Sequence, residues 1–341
     1  MKTNSDKYNL RQVILDFPDQ FEEGFKLAKN LKISKDFNSV CISGMGGSSL
    51  PADIVKAYVK NLREKDARNN KNFFIYKNRG YKLPLEAYEN CLNIFSSYSG
   101  NTEETLSSFN EALKNNLPSL GLSHGGKLIE ACQKNNIPYI IIPKISQPRY
   151  ALGYFFSILL QLFFNGGLIQ NPSQKILESI KQLKNVTADL ELKGETLAKK
   201  LKNTTPIIHT TARMKSVGRV WKIKINENAK TPCFFNYYSE LNHNEMLGYT
   251  LPQAKFYLVT LRDKKDNPRI AQRMDITSTL LKKQNSEVEI IDIPDNKNFF
   301  LKTFSSLALA DWTSYYLALN YDQDPTPVAM VENFKKLLAK N

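Results

Sequence analysis

Hydrophobic positions in this chain fall into two recurring patterns: short continuous apolar runs, and longer segments with an apolar residue every three or four positions. The first marks buried strands and the second amphipathic helices. Leu10, Val13, Ile14 and Phe17 keep helical spacing as far as Pro18, and Phe21, Phe25 and Leu27 begin a second helical stretch. The run SVCIS then closes at Gly44 and leads through a glycine and serine loop into ADIVKAYVKNL, a helix. The strand runs NFFIYK and CLNIFSSYS follow, the latter opening through SGNT into a helix predicted from Glu103. GLSHGG, a helix to Asn135 and the strand PYIIIP complete the set. Apolar runs alternating with helical patterns predict an α/β fold, with a parallel sheet covered on both faces.

The stretch from Ala151 to Phe164 is the most apolar in the chain, but it is short for a membrane span and interrupted by Ser157 and Gln161. A buried core helix is expected there. Residues 166–202 are polar and lysine-rich, yet Ile176, Leu177, Ile180 and Leu183 keep a helical period, which predicts a linking helix. A second set of units follows: TPIIHTT, a helix through Arg213–Asn228, KFYLVTL, a helix across Ile270–Lys283, and EVEIIDI. A long apolar helix around Phe304–Asn320, the turn DQDPTP and a short terminal helix close the chain. Two successive units of similar order suggest a duplication. The second half lacks the glycine and serine loops of the first, so the halves are not expected to be functionally equivalent.

Charge adds one constraint. Lysine and arginine outnumber acidic residues 47 to 33, a balance that attracts anions such as nucleic acid, acidic membrane surfaces or phosphorylated metabolites. The lysines are dispersed over many helices, without a helix-turn-helix signature or a basic run interleaved with aromatics, so nucleic acid is not the expected partner. No membrane partner is expected either. Cys41, Cys91, Cys132 and Cys233 are scattered, lack C-x-x-C spacing and sit mostly in apolar runs. They read as free core thiols of a reducing compartment, with neither a disulfide framework nor a zinc site. The opening MKTNSDKYNLRQ is polar throughout, without a signal-peptide pattern, and a cytoplasmic location is expected.

Two loops stand out chemically. Gly44-Met45-Gly46-Gly47-Ser48-Ser49 lies between a strand and a helix, where glycines allow close backbone approach and the helix start offers N–H groups to an anion. It matches neither the Walker pattern nor G-x-G-x-x-G. Ser96-Ser97-Tyr98-Ser99-Gly100-Asn101-Thr102-Glu103-Glu104 also follows a strand and precedes a helix. Its hydroxyls suit the phosphate of a small metabolite. Helix capping by Asn101 or Thr102 is the structural alternative.

GGSS followed by SYSGNTEET resembles the sugar isomerase (SIS) domains, which bind phosphosugars. Gln147-Pro148-Arg149 before Leu152-Gly153-Tyr154, then Asn226-Glu227-Asn228-Ala229-Lys230 and Glu240-Leu241-Asn242-His243-Asn244-Glu245, narrow the match. With the DPTP turn and the terminal lysine helix, they resemble the bifunctional phosphoglucose/phosphomannose isomerases, over about Phe17 to Lys335. The resemblance implies two tandem SIS-type doubly wound domains with parallel sheets flanked by helices. The divisions expected are an N-terminal helical segment over 1–33, a first SIS domain over 34–170, a linking helix over 171–200, and a second SIS domain with a C-terminal helix over 201–341.

The implied reaction interconverts glucose 6-phosphate, and by extension mannose 6-phosphate, with fructose 6-phosphate in carbohydrate metabolism (glycolysis or gluconeogenesis). Moving a proton between C1 and C2 through an enediol needs a carboxylate, and Glu227 stands where the family has its base. His243 matches the family's ring-opening histidine, supplied across a dimer interface. Arg149 would stabilise the enediolate, and Lys335, beside Lys336, matches a terminal lysine that assists ring opening. Gly46, Gly47, Ser48, Ser97, Ser99 and Thr102 would hold the phosphate. His209, inside an apolar strand, reads as structural; His124, in a glycine turn, stays open. No cofactor is expected, and no His/Cys/Asp cluster has metal-ligand spacing.

Two departures from the family pattern bear on sugar preference. The second-half strand runs into Thr210-Thr211-Ala212 where a glycine turn is usual, and Ser239 stands where proline is common. The competing reading is a non-catalytic phosphosugar sensor, which would need the loops but have no use for Glu227.

Overall fold

The computed structural model describes residues 5–65, 72–293 and 298–338. It divides into two compact units, Asp16–Lys184 and Met1–Leu15 with Asn185–Asn341. The first helix, α1 (Leu10–Asp16), falls with the latter unit but for its last residue.

The unit Asp16–Lys184 contains α2 (Asp19–Ala28), β1 (Ser39–Gly44), α3 (Gly46–Lys65), β2 (Phe74–Asn78), β3 (Cys91–Ser96) and α4 (Glu103–Lys114). It continues with β4 (Ser119–Ser123), α5 (Gly126–Lys134), β5 (Tyr139–Ile141), α6 (Leu152–Asn165) and α7 (Ser173–Asn185). Its sheet is parallel, in the order β2-β1-β3-β4-β5. Every residue of β1, β3 and β4 is buried, as expected of parallel strands covered on both faces. One face packs Cys41, Cys91, Phe95, Phe109, Leu128 and Cys132 into a single cluster. Elsewhere in the unit, aromatic edges of Phe21 and Tyr58 meet Phe156 of α6. The apolar run from Ala151 is thus a core helix, and among the described residues no helix is long and apolar enough to cross a membrane. All four cysteines are buried and free; burial pushes the Cys41, Cys132 and Cys233 thiols up to about 12, so they are inert as nucleophiles.

The other unit holds α8 (Thr187–Leu201), β6 (Thr205–Thr211), α9 (Lys215–Lys224), β7 (Phe234–Tyr238), α10 (Glu245–Gly248), β8 (Phe256–Arg262), α11 (Pro268–Lys283), β9 (Glu287–Asp292), α12 (Phe299–Asn320) and α13 (Ala329–Leu338). Its sheet is also parallel, in the order β7-β6-β8-β9. Counted within each unit, both sheets begin with the order second-first-third-fourth strand. The repeated order of units along the chain is therefore a repeated winding.

Two local expectations differ from the structure. The linking helix expected over 171–200 is two helices, α7 and α8, broken at Val186. Leu190, Leu197, Ala198 and Leu201 carry a second apolar stripe of their own. The helix expected through Arg213–Asn228 starts at Lys215, and its last turn, Ile225–Ala229, widens to π geometry. FFNYY is strand β7 at the sheet edge, where Phe234 is 55% exposed.

Helices α8 and α12 approach closely because Gly194 has no side chain. A Cβ there would lie 2.4 Å from the Trp312 Cβ and 2.9 Å from the Thr313 nitrogen. Gly194→Ala is expected to destabilise this unit by about 1–3 kcal/mol through overpacking. Both tryptophans, Trp221 and Trp312, lie in the same unit, so urea unfolding followed by tryptophan fluorescence reads the loss directly.

Candidate active site

In a doubly wound sheet, ligands bind at the carboxyl ends of the strands, in the crevice where the winding reverses. In the first unit that crevice lies between β1 and β3. These strands pair from Ser39–Cys91 to Gly44–Ser96, so they end level and their loops emerge side by side. Both expected phosphate loops stand there. The Ser48 hydroxyl accepts the Tyr98 N–H (2.9 Å), and the Ser48 carbonyl accepts the Ser96 hydroxyl (2.9 Å). A Cβ on Gly47 would fall 2.6 Å from the Arg149 nitrogen, so only glycine lets this loop abut the turn Pro148–Tyr150. Gly46, Gly47, Ser48, Ser97, Ser99, Thr102 and Arg149 all belong to this one unit.

Neither Thr102 nor Asn101 caps α4, the helix that follows the second loop, although Asn101 meets the first turn of α5. Thr102 occupies the N-cap of α4, but its side chain caps no helix N–H; its hydroxyl pairs with that of Ser97 at 2.8 Å. Asn101 instead accepts the Lys127 N–H at 3.2 Å. Gly100, at φ +69°, passes so close to Gly125 that a Cβ would collide with its carbonyl at 1.8 Å. The loop after β4 therefore buttresses the loop after β3. His124, from that third loop, stacks on Tyr98 with the rings 5.5 Å apart, and its Nδ1 donates to the Ile142 carbonyl at 2.8 Å. Arg149 is 1% exposed, with its guanidinium over the Tyr150 ring at 5.2 Å. Arg79 ties the first loop from its other side, bonding Ser49 (3.2 Å) and Asp53 (2.6 Å).

Glu227, His243 and Lys335 belong to the other unit and stand on three different elements. Glu227 sits half-buried on the π turn Ile225–Ala229. That turn is held from within: Asn228 is fully buried and donates to Ser314 at 2.8 Å, and Lys224 pairs with Asp311 at 2.6 Å in the interior. Single π turns often accompany function because they redirect one side chain out of the helical register. His243 ends a short 3₁₀ turn, Glu240–His243, just after β7. Leu241 of this turn is buried with Tyr238 and Met274, and Asn242 donates to Thr277 at 2.8 Å, while His243 itself is exposed. Lys335 is exposed on α13 and pairs with Glu332 at 3.0 Å; Lys336 is exposed beside it. Helix α9 runs back from the carboxyl end of β6, so Glu227 lies at the end of the sheet where β7 begins, and His243 at the end where β7 finishes.

Glu245 is the residue whose part the motif alone did not disclose. Its carboxylate accepts from His209 Nε2 (2.8 Å), Asn236 Nδ2 (2.6 Å) and the Tyr249 hydroxyl (2.9 Å), anchoring the segment that carries His243 to β6 and β7. His209, 1% exposed, is thereby structural. Among the described residues, no three His, Cys, Asp or Glu side chains gather as a metal site requires.

Burial works to raise the Glu245 carboxyl, but the hydrogen bonds from His209 and Asn236 outweigh it, and the group lies below the ordinary glutamate range. It binds its proton less readily folded than unfolded. The anchor's contribution is thus full at neutral pH and fades as pH falls through the lowered folded value. Glu245→Leu is expected to cost roughly 1.5–3 kcal/mol at pH 7. The gap between urea midpoints of the variant and the parent, measured down a pH series, should narrow as pH falls below the ordinary glutamate range and through the lowered folded value.

Comparison with known proteins agrees with this architecture. Residues 191–338 match the family described as the bacterial phospho-glucose isomerase C-terminal SIS domain. The bifunctional phosphoglucose/phosphomannose isomerase of Caldicellulosiruptor bescii is 35% identical, over 96% of this chain and 98% of that protein. The protein of the same description from Aquifex aeolicus is 31% identical, over 97% of this chain and 98% of its own length. A solved structure from Thermus thermophilus superposes with a TM-score of 0.75 at 14% identity, covering 98% of this chain and 91% of that one, a likeness of fold. With relatives this similar over nearly their whole length, the chain belongs to the bifunctional phosphoglucose/phosphomannose isomerase family.

Proposed function

We propose that this protein interconverts glucose 6-phosphate and mannose 6-phosphate with fructose 6-phosphate, without a metal ion, as a cytoplasmic homodimer of carbohydrate metabolism. The observation that carries the reading is the crevice between β1 and β3. Two hydroxyl-rich loops meet there, the first abutting the turn of the buried Arg149, and the Thr102 hydroxyl at the start of α4 is not spent on capping it. In the proposed mechanism the phosphate rests on Gly46, Gly47, Ser48, Ser97, Ser99 and Thr102. His243 and Lys335 move a proton from the anomeric hydroxyl to the ring oxygen, which opens the ring. Glu227 then removes the C2 proton of the open aldose, and the electron pair forms the C1–C2 double bond of the enediol. Return of that proton to C1, with transfer of the O2 proton to O1, leaves the ketose. Arg149 offsets the charge on the enediolate oxygens. The donor set supports the metal-free form, because a carboxylate base and a cation supply both roles a metal would otherwise fill.

Glu227 also separates the enzyme from a mere sensor. Glu227→Gln is expected to lower turnover by about 10²–10⁴ while leaving hexose 6-phosphate binding within a few fold. Product identification with each hexose 6-phosphate, run in the presence of a chelator, checks the reaction, its sugar range and its metal independence together. Turnover unchanged by the substitution would reject the base assignment, and absence of turnover in the parent protein would favour a binding protein.

The homodimer reading rests on the placement of Glu227 and His243 at opposite ends of β7. At about 3.3 Å per residue that strand keeps them well over 10 Å apart in one chain. A site using both therefore takes His243 from the partner subunit. Mixing inactive Glu227→Gln with inactive His243→Ala protein under subunit exchange is expected to restore one intact site of two in each heterodimer. Proven exchange without recovered activity would overturn the shared site.

A further inference from the structure

The second sheet repeats the winding of the first, and its reversal lies between β6 and β8. At their carboxyl ends the structure holds an open cavity of about 420 Å³, lined by the segments Thr211–Arg213, Tyr237–Glu240 and Lys265–Asn267. It occupies the position that the proposed phosphate crevice occupies in the first unit.

Its lining has a definite chemistry. Arg213 and Lys265 bring two cations to the rim, and neither forms an ion pair among the described residues. The nearby carboxylates are already engaged. Asp266 accepts the Thr211 hydroxyl (3.0 Å) and the Asp263 N–H (3.2 Å), and Glu240 accepts from Asn244 (2.9 Å). Tyr237 supplies an aromatic side, with Lys215 set over its ring at 4.4 Å. The loop is pinned by side chains of its own unit. Asp263 is 2% exposed, pairs with the buried Lys302 and accepts the Lys265 N–H at 3.0 Å. A cleft of this size, with few convergent polar groups and an aromatic side, suits a small metabolite.

We propose that this cavity is a second ligand site for a small phosphorylated polyol or sugar, with the phosphate on Arg213 and Lys265 and the carbon chain along Tyr237. The occupant differs from that of the first crevice in its contacts: side-chain cations replace glycine backbone and serine hydroxyls.

Glucitol 6-phosphate is a suitable probe, because it has no carbonyl to isomerise. Equilibrium dialysis against the full chain is expected to give two molecules bound per chain, and one per chain in Arg213→Ala/Lys265→Ala protein. Isomerase turnover of that variant should match the parent, which shows that it folds and that the first site is intact. Inorganic phosphate should bind the second site at least tenfold more weakly than glucitol 6-phosphate. One molecule per chain in the parent protein, or two in the double variant, would overturn the site. Equal affinity for phosphate and glucitol phosphate would overturn the sugar class. Failure of the isomerase reading shows separately, in the turnover of Glu227→Gln.

Discussion

All nine strands of the described chain pair in parallel, and most of the architecture follows from that single constraint. A parallel neighbour cannot be reached by a tight hairpin, so the chain returns between paired strands through a crossover, helical in most cases. The central strands are then buried on both faces and have no room for polar chemistry along their length. Chemistry is pushed to the strand ends, and the winding gathers the loops that matter at one point on one edge. Gly47 and Gly100 are the local expression of this constraint, because loops crowded onto one edge meet backbone to backbone.

The same constraint separates Glu227 from His243. A helix that follows a strand must come back to the opposite edge, so the end of α9 and the end of β7 cannot face one another in a single unit. The widened turn at Ile225–Ala229 makes sense in that setting. A regular helix would continue its register, whereas the π turn aims Glu227 differently while Asn228 stays locked to Ser314. Breaking one member of the internal Lys224–Asp311 pair would leave a buried charge uncompensated, so the turn's foundation tolerates little change.

Much of this was legible in the residues. The strand–loop–helix order around Gly44 and Ser96 is written in a switch from apolar runs to glycine and hydroxyls, and the elements begin within a few residues of where that switch falls. What stayed hidden had physical reasons. Strand β7 is a half-exposed edge, FFNYY, with neither β-branched residues nor alternation to mark it. The break at Val186 carries no proline or glycine, and the stripes of α7 and α8 follow one another without a polar gap. The part played by Glu245 depends on His209, 36 positions away, and on which neighbours a sheet brings to it. No local pattern encodes that.

The two units solve one geometric problem with different materials. In the first, the loops are fixed by backbone contact at glycines, which leaves hydroxyls and N–H groups facing the crevice. In the second, Thr211 and Ala212 stand where such a glycine would be, and the loop after β8 is fixed by the buried Asp263–Lys302 pair and by Asp266 on Thr211. A loop pinned by buried side chains needs no close backbone approach, so its rim is free to carry Arg213 and Lys265. Loss of the glycine–serine signature is therefore a change in how the edge is held and charged, on a sheet whose winding still opens a cleft at the same place.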